Sequence, residues 1–351
     1  MGFPEEANKE GQIVKYKARL VTRGCAQHPG YDYLETHSLV VQLKTIRAIL
    51  AMVPTKKLVV QQMDVKGAYL NGILKEGVYM HQPEGLEDGT GKICLLVKTL
   101  YGLKQSGCKW NIQFNIWVRK HGFLRLHSDP CVYVRRQHKG DLEIITVWVN
   151  DLLLFATSVK LMSEMKGMIW GEWEVTDLGE LAKIVGIEIQ MKPTKVIILQ
   201  KQYIESILSK EGMEQANPVS MPMDPKTIIE ANSDGTEGSC SNSYAQLLGE
   251  LQYLANAMQP NIAFAMNRLA LYTTNPSMQH MGTLKRLLWY LSGTRLLNVS
   301  ADHQICYKNH YILLCCSEAA YPLICSYLGL HDTHLAYLVL FGYCHVWYIH
   351  S

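Results

Sequence analysis

Paired cysteines are missing. The chain holds ten cysteines, but none stand in the Cys-x-x-Cys spacing of a structural zinc site. The adjacent Cys315-Cys316 suit neither a metal nor a simple disulfide. That usage points to a reducing, intracellular, cytoplasmic or nuclear setting. A membrane-length apolar run is missing too. Leu335 to Ile349 is apolar but spans only 15 residues and contains a histidine. Met1-Gly-Phe-Pro-Glu-Glu6 is charged and has no apolar core, so no secretory signal is expected there. Gly89-Thr-Gly91 opens no helix, which excludes a glycine-rich phosphate cradle. Strong net charge is absent: the formal value is +3 over 351 residues. Acids are absent from one stretch in particular. Between Gly89 and Ser128 stand Lys92, Lys98, Lys104, Lys109, Arg119, Lys120 and Arg125, with no Asp or Glu. A segregated basic surface suits a phosphate backbone.

What is present centres on Glu143 to Ala156. Two apolar, β-branched-rich runs flank one polar pair, Asn150-Asp151. That spacing reads as a β-hairpin with the polar pair as its turn, because Asn and Asp tolerate the positive φ of tight turns. A second apolar run, Leu58 to Val65, ends on a lone acid, Asp64. Two strands that each end in a carboxylate can bring the acids together at one sheet edge. Clustered carboxylates repel unless a cation sits between them. Hard oxygen ligands suit Mg²⁺, and two such ions about 3.5–4 Å apart clamp an in-line phosphoryl transfer.

The ordered motifs are more specific than either acid. Gln62-Met-Asp-Val-Lys-Gly-Ala-Tyr-Leu-Asn-Gly72 resembles the first palm motif of copia-type LTR-retrotransposon reverse transcriptases. Leu100-Tyr-Gly-Leu-Lys-Gln105 with Trp110, then Ser128-Asp-Pro-Cys-Val-Tyr133, are similar to the next two. Trp148-Val-Asn-Asp151 stands where that family has Tyr-x-Asp-Asp. Asp177-Leu-Gly-Glu-Leu181 and Val185-Gly-Ile-Glu-Ile189 follow in the family's order, and the match runs from about residue 12 to 296.

The resemblance implies an α+β right-hand polymerase with fingers, an antiparallel palm sheet and a thumb, followed by a helical segment. It implies an RNA-directed DNA polymerase working on a primer–template and deoxynucleotides, with two Mg²⁺ ions or Mn²⁺ as cofactor. By position, Asp64, Asp151 and the Val65 carbonyl hold metal. Lys17, Arg19, Tyr69 and Gln105 meet the nucleotide, and Gly186, Ile187 and Glu188 grip the primer. The chain departs from the pattern at Asn150, where the family has its stricter acid. Asn keeps a carbonyl oxygen but carries no charge. Gly107-Cys108 replace the usual Pro-Arg. A catalytically inactive nucleic-acid-binding remnant, or a relic without function, is therefore the rival reading.

The expected organisation is a disordered start at 1–11, the polymerase body at 12–213, a linker at 214–241 and a helical connection at 242–296. The tail at 297–351 lacks a recognisable ribonuclease H pattern. Within the body, Val14 to Gly24 alternates basic and apolar residues and predicts a strand. Helices are predicted from Leu43 to Val53, Trp110 to Phe123 and Met162 to Trp173. Strands are predicted at Ile184–Gln190 and Val196–Gln200, and Gly212 is expected to close a following helix. Ser243 and Gln246 form a capping-box pattern.

Overall fold

The computed structural model describes residues 5–7, 13–16, 19–138, 140–224, 227, 229–232 and 241–302. Lys17 and residues 303–351 lie outside them. In chain order the elements are β1 (Glu5–Ala7), β2 (Ile13–Tyr16), α1 (Leu43–Lys56), β3 (Val59–Val65), β4 (Ile73–Met80), β5 (Cys94–Lys98), α2 (Ser106–Lys120), β6 (Leu124–Arg125) and β7 (Val132–Arg135). There follow β8 (Glu143–Trp148), β9 (Asp151–Ala156), α3 (Val159–Glu172), β10 (Val175–Glu180), β11 (Lys183–Ile184), β12 (Ile187–Met191), β13 (Lys195–Leu199) and α4 (Lys201–Lys210). The last are α5 (Ser241–Ala257), α6 (Ala263–Ala270), α7 (Met278–Gly293) and β14 (Asn298–Asp302). They form two compact units, Met1–Gln42 with Val59–Gly179, and Leu43–Leu58 with Glu180–Ser351. No helix of the described residues is long and apolar enough to cross a membrane.

The first unit is built on a six-stranded sheet in the order β10-β3-β9-β8-β7-β6. Its centre is apolar on both faces, since Leu152, Leu153, Leu154 and Phe155 of β9 are all buried. Each such side chain contributes about 1.5–3 kcal/mol on burial. α3 covers part of the sheet and starts where Ser158 accepts the Leu161 amide at 3.2 Å, an N-cap. α2 brings an aromatic stack: Phe114 lies on Trp173 at 5.3 Å and tilts against Tyr133 of β7 at 5.6 Å. α2 stops at Gly122, whose φ of 82° only glycine adopts freely. β4 and β5 form a separate antiparallel hairpin over Leu103.

The stretch from Val14 to Gly24 does not make one strand. Among the described residues, Ile13–Tyr16 pairs with β1, and Val21 makes an isolated parallel bridge to Tyr101. Contact with Tyr101 rather than an extended neighbour decides that segment. Residues 5–7, expected without order, are held by the backbone ladder to β2.

In the second unit, α4 to α7 enclose a core of Leu247, Leu251, Leu254, Leu284 and Leu287 among others. α4 closes at Gly212 as expected, with the Met213 amide on the Leu208 carbonyl at 2.7 Å. A four-stranded sheet, β11-β12-β13-β14, packs beside α1. α1 ends at Lys56, just before Lys57 at φ 51°, and the Leu58 amide reaches back to the Val53 carbonyl at 3.1 Å. β14 carries the folded body past the expected boundary at 296, pairing Asn298–Asp302 with β13. The expected Ser243 cap is not at a terminus, because α5 already begins at Ser241.

The observed capping box belongs to α7. The Ser277 amide donates to His280 Nδ1 at 2.7 Å, and the His280 amide returns to Ser277 Oγ. His280 is fully buried and stacks on Tyr272 at 4.2 Å. Burial holds its pKa below the ordinary value. A depressed histidine pKa stabilises the fold above the unfolded pKa, and the contribution is lost as pH falls through the folded one. Urea denaturation at pH 7.5 and 5.5 should show an acid-side loss of up to about 1.4 kcal/mol per pH unit from this group. His280→Gln keeps the capping acceptor and should flatten that slope. An unchanged slope would mean that other histidines carry it.

Candidate active site

β3 and β9 run antiparallel, and their register sets Asp64 directly opposite Asp151. Residues so paired point to the same face with Cα atoms about 4.5–5.5 Å apart. The two carboxylates are therefore neighbours at one end of the sheet. Burial pushes the Asp151 pKa up and the Asp64 charge pushes it further, while a hydrogen bond from Gln62 Nε2 at 2.9 Å opposes both. A cation there competes with a proton that leaves at higher pH than from an ordinary aspartate.

The turn differs from its expectation by one residue. Asp151 is already the first residue of β9 and pairs with Trp148, so the two-residue turn is Val149-Asn150. Val149, not Asn150, takes the positive φ, at 58°. Asn150 turns its amide nitrogen onto the Asp64 carboxylate. Only the N–H end can face a carboxylate there, because the carbonyl end would repel it. Its own carbonyl accepts the Val65 amide at 2.8 Å.

Asp64, Val65, Val149 and Asn150 border a cleft of about 450 Å³, whose lining does not include Asp151. Arg19, Asp64, Val65, Tyr69 and Asn150 all line it, as do Lys66, Gly67, Tyr101, Val149 and Thr176. Arg19 lies over the Tyr101 ring at 5.5 Å, and Tyr69 meets Tyr101 edge-on at 6.0 Å. Lys66 pairs with Glu174 at 2.6 Å. Lys66 and Tyr101 were not singled out by the sequence, although both sit inside the quoted motifs.

Gln105 is not at the cleft. It is fully buried, donates to the Asp32 carbonyl at 2.9 Å and accepts from Gln27 at 3.1 Å. Its amide holds the segment around Gln27 and Asp32 in place, and both ends are used. The basic stretch is also less continuous than its sequence suggests. Lys109 forms a half-buried pair with Glu76 at 2.5 Å, and Arg125 is spent on the Pro130 carbonyl and Asn111. Lys92, Lys98, Lys104, Arg119 and Lys120 remain exposed. Gly107 admits no larger residue without movement, since a Cβ there would lie 2.7 Å from Ser38 Cβ. In the second unit, Gly186, Ile187 and Glu188 lie at the β11–β12 turn, where Val185 and Gly186 have φ of 47° and 73°. Glu188 caps the Gln202 amide at 2.7 Å, at the start of α4.

The donor set suits one hard dication. Two adjacent carboxylates of like charge, one with its pKa raised, call for a positive charge between them. Asn150 supplies no third anion. Among the described residues no group of three or more His, Cys, Asp or Glu converges on one point.

Fold and site thus define a mixed α/β protein whose antiparallel sheet carries a cross-strand acid pair beside a polar cleft. Residues 3–225 match the family described as reverse transcriptase (RNA-dependent DNA polymerase). The chain belongs to that family, in its copia-type retrotransposon branch. It is 35% identical over 306 residues to a retrovirus-related Pol polyprotein from transposon TNT 1-94 of Nicotiana tabacum, covering 83% of this chain and 23% of that protein. It is 35% identical over 294 residues to the Pol polyprotein from transposon RE1 of Arabidopsis thaliana, covering 83% and 20%. The Ty1-DR1 Gag-Pol polyprotein of Saccharomyces cerevisiae is 24% identical over 308 residues, covering 80% and 16%. The chain spans about a quarter or less of the length of these relatives.

Proposed function

We propose that the cleft is the nucleotidyl-transfer site of an RNA-directed DNA polymerase, impaired by Asn150. The observation that carries this reading is the register of Asp64, which lines the cleft, directly opposite Asp151 on the neighbouring strand. Asp64 and Asp151, with the Val65 carbonyl, would hold Mg²⁺ or Mn²⁺, which supplies charge neutralisation for phosphoryl transfer. Arg19 lines the same cleft and is suited to a nucleotide's phosphates. The Tyr69 ring, half-buried against Tyr101, offers a wall beside the sugar. Gly186, Ile187 and Glu188 are the residues we assign to the primer. The fingers, palm and thumb division belongs to the same proposal, with the palm as the six-stranded sheet.

A second reading has its own observation. The Asn150 amide already occupies an Asp64 oxygen, which favours a protein that binds nucleic acid without catalysis. Both readings require binding to primer–template. With five exposed cations between Lys92 and Arg125, the logarithm of affinity should fall with the logarithm of salt at a slope of about −3 to −5. Fluorescence anisotropy from 50 to 200 mM salt measures it. A flat slope, or no binding at low salt, would overturn both readings. Primer extension with Mg²⁺ or Mn²⁺ then separates them.

A further inference from the structure

Val149 is in a conformation that its side chain opposes. A β-branched residue at φ 58° is a genuine outlier, yet a two-residue hairpin demands a positive φ at one of its positions. Glycine would meet that demand without strain. Such outliers persist only where the surroundings over-determine them, and they cluster at functional sites.

The restraint is visible. The Val149 carbonyl accepts the indole N–H of Trp110 at 2.7 Å. Trp110 itself cannot turn away, because it is 2% exposed and lies edge-on to Trp173 at 5.2 Å and tilted on Phe114 at 5.6 Å. The next peptide group is fixed from the other side, where the Asn150 carbonyl holds the Val65 amide. One bond ties the turn to α2 and the other ties it to β3, beside Asp64. Without the first, the peptide between Val149 and Asn150 is free to flip, and a flip redirects Asn150 at the cleft. The same device recurs in the second unit, where Val185 at φ 47° has its carbonyl held by the Tyr253 hydroxyl from α5.

We propose that Trp110 is a positioning residue: its N–H clamps the strained Val149 carbonyl and so sets how Asn150 faces the cleft and Asp64. Only the kinetic arm of its test rests on the polymerase reading.

The test uses Trp110→Phe, which keeps a ring in the stack and deletes the N–H, alone and combined with Val149→Gly. Where the phenylalanine variant fails to fold, the benzothienyl analogue of tryptophan at 110 keeps the shape and lacks the N–H. Hydrogen exchange of the Val65 amide reads the turn directly, since that amide is bonded to Asn150. Loss of the clamp should speed its exchange about tenfold without loosening the amides of α2. Val149→Gly, which needs no clamp, should return it to the original rate. In the Asn150→Asp background, Trp110→Phe should lower kcat at unchanged nucleotide KM, again with rescue by Val149→Gly. Unchanged exchange, uniform loosening of α2, or failure of Val149→Gly to rescue would each overturn the clamp and leave Trp110 as core packing. If exchange responds and is rescued but no variant extends a primer, the clamp stands and the polymerase reading falls.

Discussion

Asn150→Asp is expected to raise primer extension roughly a hundredfold or more, equivalent to about 2.7 kcal/mol of recovered transition-state stabilisation. The change removes a donor from Asp64 and adds a third carboxylate to the same corner. It is nearly isosteric and falls in a two-residue turn, so the fold should tolerate it. A cost should appear when cations are withheld, because three like charges then face one another. The variant should therefore melt lower than the parent in chelator and recover on adding Mg²⁺, as a site that binds only the native state requires. Asp64→Asn in that background should abolish the recovered activity. No gain from a folded variant that still binds primer–template would clear Asn150 of blame. Gly107 and Cys108 would then be the next suspects, given how closely Ser38 crowds position 107.

Arg135→Met is expected to cost about 3–5 kcal/mol of stability, the usual penalty for breaking a buried pair. Glu143 is fully buried, and Arg135 meets it with two bonds of 2.7 and 2.6 Å. The same guanidinium donates to the His121 carbonyl at 2.9 Å and covers the Phe123 ring at 4.4 Å. Removing it leaves an uncompensated charge between β7 and β8, with Gln137 at 3.3 Å the remaining partner among the described residues. The melting temperature should drop by about 10 °C in a unit of this size. Arg135→Met with Glu143→Leu should recover most of the loss, because an apolar pair needs no counter-charge. A single-variant loss below about 1 kcal/mol would mean that the pair behaves as a solvated surface bridge.

The acid pair was legible because two independent apolar runs each ended on a carboxylate, and antiparallel pairing does the rest. The turn was misread by one residue for a physical reason. Local preference assigns positive φ to Asn or Asp, but the pairing of Trp148 with Asp151 makes Val149-Asn150 the turn, and Val149, whose carbonyl is bonded to Trp110 39 positions away, takes it. Gln105 was legible as part of a motif and not as a buried brace, since its partners Gln27 and Asp32 lie more than 70 residues upstream. The basic stretch was readable as charge. Which of its members are consumed internally depends on Glu76 and Asn111, and spacing does not report that. Helices with clear periodicity and a closing glycine, α2 and α4, were placed within a few residues.

The second unit has a consequence for synthesis. α1 packs beside β13 and β14, although it leaves the ribosome some 240 residues before β14 does. Its apolar face, Ile46, Ile49, Leu50 and Val53, waits some 140 residues for β13 and some 240 for β14. At about 5–20 residues per second the wait for β14 lasts roughly 12–50 s. The nascent chain must therefore shelter one greasy helix, by transient contacts or a chaperone, until its last strand arrives.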